Sequence, residues 1–203
     1  MVPAMTWNCD TARARYNLDG WSDGYFDVGG NGHLLVRPRG MPGSPEIDLR
    51  ELVDRMHTAG LTMPVLLRFT DILRCQVDRL HGAFADALRA AHGDARYTAI
   101  YPIKVNQQEH VVDAIVAHGG ERIGLECGSK PELMIVLGSL PAGGTIVCNG
   151  YKDAEYIRLA LVAQRLGHRV FLVIEKLSEL ELIRRTASAM NIRPRLGLRV
   201  RLA

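Results

Sequence analysis

The chain repeats one pattern, in which a short run of apolar residues is followed by a segment with helical spacing. Six strand candidates begin near residues 63, 97, 122, 145, 169 and 195, and each except the last precedes such a segment. Strands that are apolar throughout are typical of a parallel sheet covered by helices. The pattern predicts either a (β/α) barrel or an open doubly wound sheet, and periodicity alone does not choose between them.

The helical segments carry start signals and apolar faces of their own. One apolar stripe consists of Leu73, Val77, Leu80, Phe84 and Leu88. Three pairs have the spacing of capping boxes and predict helix starts: Asn106 with Glu109, Ser129 with Glu132, and Ser178 with Glu181. Glycines at 119, 120 and 167 mark helix ends.

The first part of the chain follows a different pattern. Residues 25–28 and 33–36 are strand-like and are separated by a glycine-rich turn, which predicts a β-hairpin. Asp48 with Glu51 then resembles a capping pair for a helix that Gly60 closes. We therefore expect an N-terminal β segment with a linker helix over residues 1–60 and the (β/α) region over 61–203.

The number of strands is too small for a closed barrel. A barrel needs eight strands and typically about 250 residues. Residues 63–203 supply at most six candidates, and the last is cut at Leu202-Ala203. We expect the chain to stop before its fold closes.

Composition excludes several classes of protein. With 47% hydrophobic and 23% charged residues, the chain can bury a core like a soluble globular protein. Its formal net charge of +3 and the lack of a long basic cluster do not suggest nucleic acid binding. No apolar run approaches the roughly 20 residues of a membrane span. The four cysteines form no C-x-x-C pair, so a reducing cytoplasm fits best.

Five polar residues stand where the apolar runs stop, and parallel α/β proteins bind ligands at the carboxyl ends of their strands. They are Lys104, Glu126, Asn149, Glu175 and Arg199. Pro102 cannot donate to a sheet ladder, so its strand must end there and Lys104 lies at the mouth of the sheet. Each of these residues can also lie there without a functional role. A lysine after a strand, for example, is most often a solvated surface charge.

Common ligand motifs are missing. Gly30 and Gly32 begin something like G-x-G-x-x-G, but position 35 is Leu35 and no helix follows directly, so a dinucleotide fingerprint is rejected. There is no Walker A order and no H-E-x-x-H, and the seven histidines show no ligand spacing. No residue identifies a metal site.

Several blocks resemble biosynthetic arginine decarboxylase, a family of pyridoxal phosphate enzymes. The most specific are YPIKVNQ at 101–107 and GLECGSKPEL at 124–133, joined by CNGYKD at 148–153, EKLSEL at 175–180 and RPRLGLRVRL at 193–202. Less specific matches begin at Gly24 and Met63. Cys127 departs from the alanine expected in the family, which should affect packing more than chemistry.

The resemblance implies a fold and a reaction. The fold is an incomplete alanine racemase-like (β/α)8 TIM barrel preceded by a small N-terminal β segment. The reaction is decarboxylation of L-arginine to agmatine and carbon dioxide for polyamine (spermidine) biosynthesis, with pyridoxal 5'-phosphate as cofactor and Mg²⁺ as a further family requirement. A homo-oligomer in the cytoplasm is implied for the full-length protein.

The resemblance also assigns roles to three residues. Lys104 matches the Schiff-base lysine, Glu126 an acid near that lysine, and Arg199 an arginine close to the cofactor ring. Because a lysine must lose its proton to act as a nucleophile, we expect Lys104 to be buried at the barrel mouth. The family's phosphate loop, ring-stacking histidine, pyridine-nitrogen acid and guanidinium-binding residues lie downstream of the matched segment, so we expect the isolated chain to be inactive and poorly stable.

Two alternatives stay open. The first is a related decarboxylase of the same fold that acts on ornithine or diaminopimelate. The second is a non-catalytic fragment that regulates a longer partner at its dimer interface. Product analysis tests the first, and co-purification with a longer paralogue tests the second.

Overall fold

A computed structural model describes residues 7–40, 43–91 and 94–200. The chain forms two compact units, Met1–Gln76 and Val77–Ala203. The domain boundary expected between residues 60 and 61 stays a prediction, and the expected cut at Leu202-Ala203 lies outside the described residues. No helix in the described ranges is long and apolar enough to cross a membrane.

The first unit contains the predicted hairpin together with elements that the sequence did not indicate. Its elements are α1 (Cys9–Arg15), α2 (Leu18–Trp21), β1 (Phe26–Val28), β2 (Leu34–Val36), β3 (Ile47–Asp48), α3 (Leu49–Thr58) and the first turns of α4 (Thr70–Ala90). β1 and β2 pair antiparallel, which confirms the hairpin, and β3 pairs with the other edge of β2. Neither α1 nor α2 was predicted, because helices of seven and four residues are too short to show a clear apolar period.

The linker helix begins as its sequence predicts. The Asp48 carboxylate accepts hydrogen bonds from the backbone N–H of Arg50 at 2.9 Å and of Glu51 at 3.2 Å, which caps α3. Gly60 follows the helix with φ +81°, a left-handed conformation that favours glycine. The expected cap and stop are therefore confirmed.

The strand predicted from residue 63 is absent. Residues 61–69 have no helix or strand, and Met63 and Leu66 are 45% and 71% exposed. An apolar run becomes a strand only when a neighbouring strand offers hydrogen bonds to its backbone. Among the described residues no strand pairs with this run, so this prediction is wrong.

The second unit is built from repeated βα pairs. After α4 come β4 (Ala99–Pro102), α5 (Glu109–Gly119), β5 (Ile123–Cys127), α6 (Lys130–Ser139), β6 (Thr145–Cys148), α7 (Ala154–Arg165), β7 (Arg169–Ile174), α8 (Leu177–Met190) and β8 (Arg195–Leu198). The five strands are parallel and lie in the order β4-β5-β6-β7-β8. All five strand predictions from residue 97 onward are confirmed.

The order of the strands distinguishes the two architectures left open by the sequence. A doubly wound sheet reverses its strand order at a switch point, whereas a barrel wall adds strands in chain order. Here neighbouring strands are consecutive along the chain. The sheet is therefore the barrel type, and within the described residues it is open, with β4 and β8 as its two edges.

The core of this unit lies between the sheet and the helices that cover it. Leu125, Ile146 and Leu172 occupy successive strands and are at most 1% exposed. Helical side chains that are equally buried include Val112, Leu133, Val136, Ile157, Leu161 and Ile183. Every residue of β5 is buried, as its continuous apolar run predicts.

The three predicted helix starts have different outcomes. Ser129 caps α6 by accepting a hydrogen bond from the backbone N–H of Glu132, as expected. Asn106 does not cap α5, because the helix begins at Glu109 with Gln108 before it, and the Asn106 side chain accepts from the Gln108 N–H instead. Ser178 lies inside α8, whose preceding residue Lys176 makes no side-chain cap, so that capping box is wrong.

Candidate active site

A cleft of about 770 Å³ lies at the carboxyl ends of the parallel strands. The register aligns these ends, since Pro102 is paired with Glu126, Cys127 with Cys148, and Ile174 with Leu198. The cleft is lined by all five polar residues singled out from the sequence, Lys104, Glu126, Asn149, Glu175 and Arg199. The structure thus brings them to one place, while their roles stay predictions.

Lys104 stands in a turn directly after β4. The strand ends at Pro102, as expected, and the turn is held by Ile103, whose side chain is fully buried and whose N–H donates to the Glu126 carbonyl at 3.0 Å. The Lys104 side chain is 62% exposed, and its Nζ lies 3.6 Å from Glu126 Oε1. The expected burial is therefore wrong for this chain, because the described elements cover only one side of the lysine.

Glu126 is the buried acid of the cleft. Its side chain is 6% exposed, and Oε1 accepts a hydrogen bond from Asn149 Nδ2 at 3.1 Å. Oε2 is buried and has no hydrogen-bond partner among the described residues. An unpartnered buried oxygen is costly, so a ligand that brings a donor here would satisfy it.

Glu175 organises the other side of the cleft. Its Oε1 accepts a hydrogen bond from the backbone N–H of Gly150 at 2.6 Å, and its Oε2 lies 3.2 Å from Arg199 Nη1. The N–H of Arg199 donates to the Ile174 carbonyl at 3.1 Å, which fixes its backbone just beyond β8. The Arg199 side chain itself is 67% exposed, so a cation is held at the rim with its outer face open.

A tyrosine supports the floor of the cleft from below. The buried Tyr156 hydroxyl contacts the carbonyl oxygens of Cys127 at 3.0 Å and Asn149 at 3.2 Å. Burial, together with the neighbouring thiols of Cys148 and Cys127, raises the pKa of Tyr156, so the hydroxyl keeps its proton and donates. Cys127, the departure from the family pattern, packs with its Sγ 3.8 Å from that of Cys148.

Sequence reasoning missed two buried charges beneath this cleft. Lys152 and Glu179 are 6% and 4% exposed, and their side chains approach each other to 3.7 Å. In the sequence Lys152 stands beside a helix cap and Glu179 lies in the first turn of a helix, positions where a charge is usually solvated. Only the tertiary structure shows that these two are enclosed.

The residues of the cleft fit a cofactor that is held through an aldehyde group. Lys104 offers a primary amine that reaches the open cleft, Glu126 a buried oxygen without a donor, and Arg199 a cation at the rim. No comparable site for a metal ion is found in the described ranges, because they contain no group of three or more His, Cys, Asp or Glu side chains that could hold one.

Comparison with known proteins identifies related sequences and a related structure. The family model of the pyridoxal-dependent decarboxylase, pyridoxal binding domain matches residues 74–203. Biosynthetic arginine decarboxylase from Chromobacterium violaceum is 53% identical over 199 residues, 98% of this chain and 32% of the relative. The protein of the same name from Pseudomonas aeruginosa is 52% identical over 197 residues, 97% of this chain and 31% of the relative.

The crystal structure of biosynthetic arginine decarboxylase SpeA from Campylobacter jejuni is also similar. It superimposes with a TM-score of 0.80 at 32% identity, covering 92% of this chain and 31% of that chain. The chain thus spans about a third of the length of the relatives it matches.

Proposed function

Because this chain belongs to the pyridoxal-dependent decarboxylases, whose pyridoxal binding domain it matches over residues 74–203, we propose that it forms the cofactor-lysine part of an arginine decarboxylase. The observation that carries the proposal is the position of Lys104, whose amine reaches the open cleft 3.6 Å from the buried carboxylate of Glu126. The names of the relatives, with which identity is 50% or more over nearly the whole chain, support arginine as the substrate.

In this proposal Lys104 holds pyridoxal 5'-phosphate covalently through Nζ. When bound, the cofactor supplies an electron sink for the pair released as the α-carboxylate of arginine leaves as carbon dioxide. Lys104 must first lose a proton, and Glu126 Oε1 lies 3.6 Å from its Nζ as a possible acceptor. Asn149 orients that carboxylate by donating to the same oxygen.

Arg199 supplies positive charge at the rim. Its guanidinium is restrained by Glu175, so it presents a fixed cation toward the space where the cofactor would lie. A restrained cation favours a phosphorylated or carboxylate-bearing ligand over a neutral one. We assign it the role of orienting the cofactor.

The family resemblance also indicates a product and a setting for the complete protein. The product is agmatine, which leads toward polyamines, and the complete protein acts as a homo-oligomer in the cytoplasm. A Mg²⁺ requirement is retained as a prediction from the family and has no assigned residue in this chain. The boundary between residues 60 and 61 is kept as the start of the cofactor-binding part.

The test uses the full natural polypeptide that carries this sequence. It is mixed with pyridoxal phosphate and treated with borohydride, and the modified lysine is located by peptide mass spectrometry. We expect the label on Lys104, its loss in Lys104→Ala, and its retention in Lys176→Ala, which removes an exposed lysine that lies 3.5 Å above the Tyr151 ring. A label on another lysine would overturn the assignment.

The substrate is tested on the same preparation. We expect carbon dioxide and agmatine from L-arginine and much slower release from ornithine or diaminopimelate. Preference for either of the latter would move the protein to a related decarboxylase. Cofactor binding without any decarboxylation would favour the non-catalytic alternative.

A further inference from the structure

A lysine ammonium is enclosed beneath the cleft, away from solvent. The Lys152 side chain is 0% exposed. Its Nζ donates to the Gly150 carbonyl at 2.6 Å and to the Val173 carbonyl, and it lies 3.7 Å from Glu179 Oε2. Burying a charge is expensive unless it is paired and hydrogen-bonded, and here three acceptors surround it.

The carboxylate of Glu179 ties together two loops that reach the cleft. It projects from the first turn of α8, and Oε1 accepts a hydrogen bond from the N–H of Lys152 at 3.0 Å. Oε2 accepts from the N–H of Glu175 at 2.9 Å. One side chain therefore fixes both the segment after β6 and the residue that follows β7.

These bonds continue into the cleft itself. Gly150, whose carbonyl receives the Lys152 ammonium, donates its own N–H to Glu175 Oε1 at 2.6 Å. Glu175 in turn holds Arg199. A continuous series of contacts thus runs from the buried pair to the guanidinium at the rim.

We infer that Lys152 and Glu179 are positioning residues, which hold Gly150 and Glu175, and through Glu175 the guanidinium of Arg199, in the geometry that binds the cofactor. The inference rests on the proposed function, since it concerns the same cleft. Neither residue lines the cleft, so each acts through its neighbours. A purely structural pair would instead change stability and leave cofactor binding unaltered once the protein is folded.

The central variant is Glu179→Gln, matched with Glu181→Gln on the same helix. The amide of glutamine accepts through one atom only, so one of the two backbone N–H groups of Lys152 and Glu175 loses its acceptor. Glu181 is exposed, and its carboxylate accepts hydrogen bonds from Arg184 and Arg185 of the same helix. The control therefore removes a carboxylate from α8 without touching the cleft.

Two measurements on the full natural polypeptide separate positioning from folding. Hydrogen exchange of the Gly150 amide reports the loop without any cofactor, and we expect faster exchange in Glu179→Gln than in wild type or Glu181→Gln. Titration with pyridoxal phosphate, followed by absorbance, reports affinity. Loss of one hydrogen bond to a charged acceptor predicts roughly tenfold weaker binding.

A second pair of variants keeps the test decisive if single substitutions unfold the protein. Lys152→Met leaves Glu179 buried without its cation and should be strongly destabilising. The double variant Lys152→Met/Glu179→Gln removes both charges and should regain much of that stability. We expect it to bind the cofactor about as weakly as Glu179→Gln, because one of the two backbone N–H groups still lacks its side-chain acceptor.

The outcomes are distinguishable. The positioning role is wrong if Glu179→Gln matches Glu181→Gln both in the exchange rate of the Gly150 amide and in cofactor affinity. It is also wrong if the double variant recovers wild-type affinity together with stability. If wild type itself fails to bind pyridoxal phosphate, the proposed function fails. In that case the exchange of Gly150 still decides whether the pair holds this loop.

Discussion

Gly150 shows how closely two loops approach at the carboxyl edge of the sheet. It has φ +72°, and a Cβ built on it would lie 2.2 Å from the carbonyl oxygen of Gly128. A side chain at this position is therefore excluded both by backbone conformation and by space. The glycine permits the close contact of the loops that follow β5 and β6.

We predict that Gly150→Ala destabilises the protein by at least about 1–2 kcal/mol, since a left-handed conformation carries that cost for an L-residue before any collision is counted. Gly138→Ala is the control, because nothing lies within 4 Å of its added Cβ in α6 and alanine favours a helix. Urea denaturation of both variants checks this. Equal stability of the two would contradict it.

His81 gives a prediction for pH. It is 8% exposed, its Nε2 has no hydrogen-bond partner among the described residues, and its ring meets that of Tyr97 edge-on. Burial lowers the pKa of His81, the charge of Arg122 lowers it further, and Asp78 opposes them. The folded state therefore binds a proton less readily than the unfolded state.

Acid therefore destabilises the folded state through this histidine. The contribution of His81 to the free energy of unfolding is fully present above the unfolded pKa of about 6.5. It decreases as the pH falls from that value to the lower pKa of the folded state. His81→Phe should flatten the dependence of unfolding free energy on pH between 8 and 5. The exposed His110→Gln in the same unit serves as control, and an unchanged slope in His81→Phe would refute the assignment.

At the scale of elements, α7 depends on a cap that also connects it to α6. Asp153 accepts from the backbone N–H of Tyr156 at 2.8 Å and from Lys130 Nζ at 2.8 Å. These hydrogen bonds, that of Lys130 first, lower the pKa of Asp153. We expect Asp153→Ala to cost about 1 kcal/mol of unfolding free energy.

Asp153→Asn separates the cap from the charge. An asparagine oxygen still accepts from the Tyr156 N–H, while the exposed ion pair with Lys130 contributes little. The asparagine variant should therefore remain near wild type in thermal unfolding. A loss as large as that of the alanine variant would show that the ion pair and not the cap stabilises this region.

The same sequence pattern forms a strand or a helix cap at one position and fails to do so at another. Only part of the fold could therefore be predicted from the sequence. The apolar runs after residue 97 became strands because each found a parallel neighbour, whereas the equally apolar run at 63–69 pairs with none among the described residues. Ser129 and Ser178 both precede a glutamate by three residues, yet only Ser129 caps a helix. At Ser178, α8 follows β7 closely, and Glu179 accepts a hydrogen bond from the backbone N–H of Glu175 instead.

The candidate site was also predictable only in part. The sequence shows where each apolar run ends and a polar residue follows, so Lys104, Glu126 and Arg199 could be found without coordinates. The enclosure of Lys152 depends on how α8 and β7 pack over it. Burial of a charge arises from tertiary contacts, which no local pattern records.

For the molecule as a whole, the open sheet leads to a prediction about a polypeptide of these 203 residues alone. Leu196 and Leu198 on the edge strand β8 are 46% and 69% exposed, and Phe171 of β7 is 37% exposed. An unpaired edge with apolar side chains favours association between molecules. We expect this polypeptide to aggregate at micromolar concentration and to release no carbon dioxide from arginine.

Light scattering and a radiometric decarboxylase assay check that expectation. Leu198→Lys, which places a charge on the exposed edge, should reduce aggregation without restoring activity. A monodisperse monomer with decarboxylase activity would contradict both parts. The full natural polypeptide provides the reference for each measurement.

The arrangement of strands in chain order has a consequence for how the protein is made. Each new strand leaves the ribosome roughly 24 residues after the last, a few seconds at ordinary rates of translation. Within the described sheet, each of β5 to β8 pairs with the strand synthesised just before it, so these pairings do not wait for later parts of the chain. The nascent chain can therefore lay down its sheet from one end, each finished repeat serving as the template for the next.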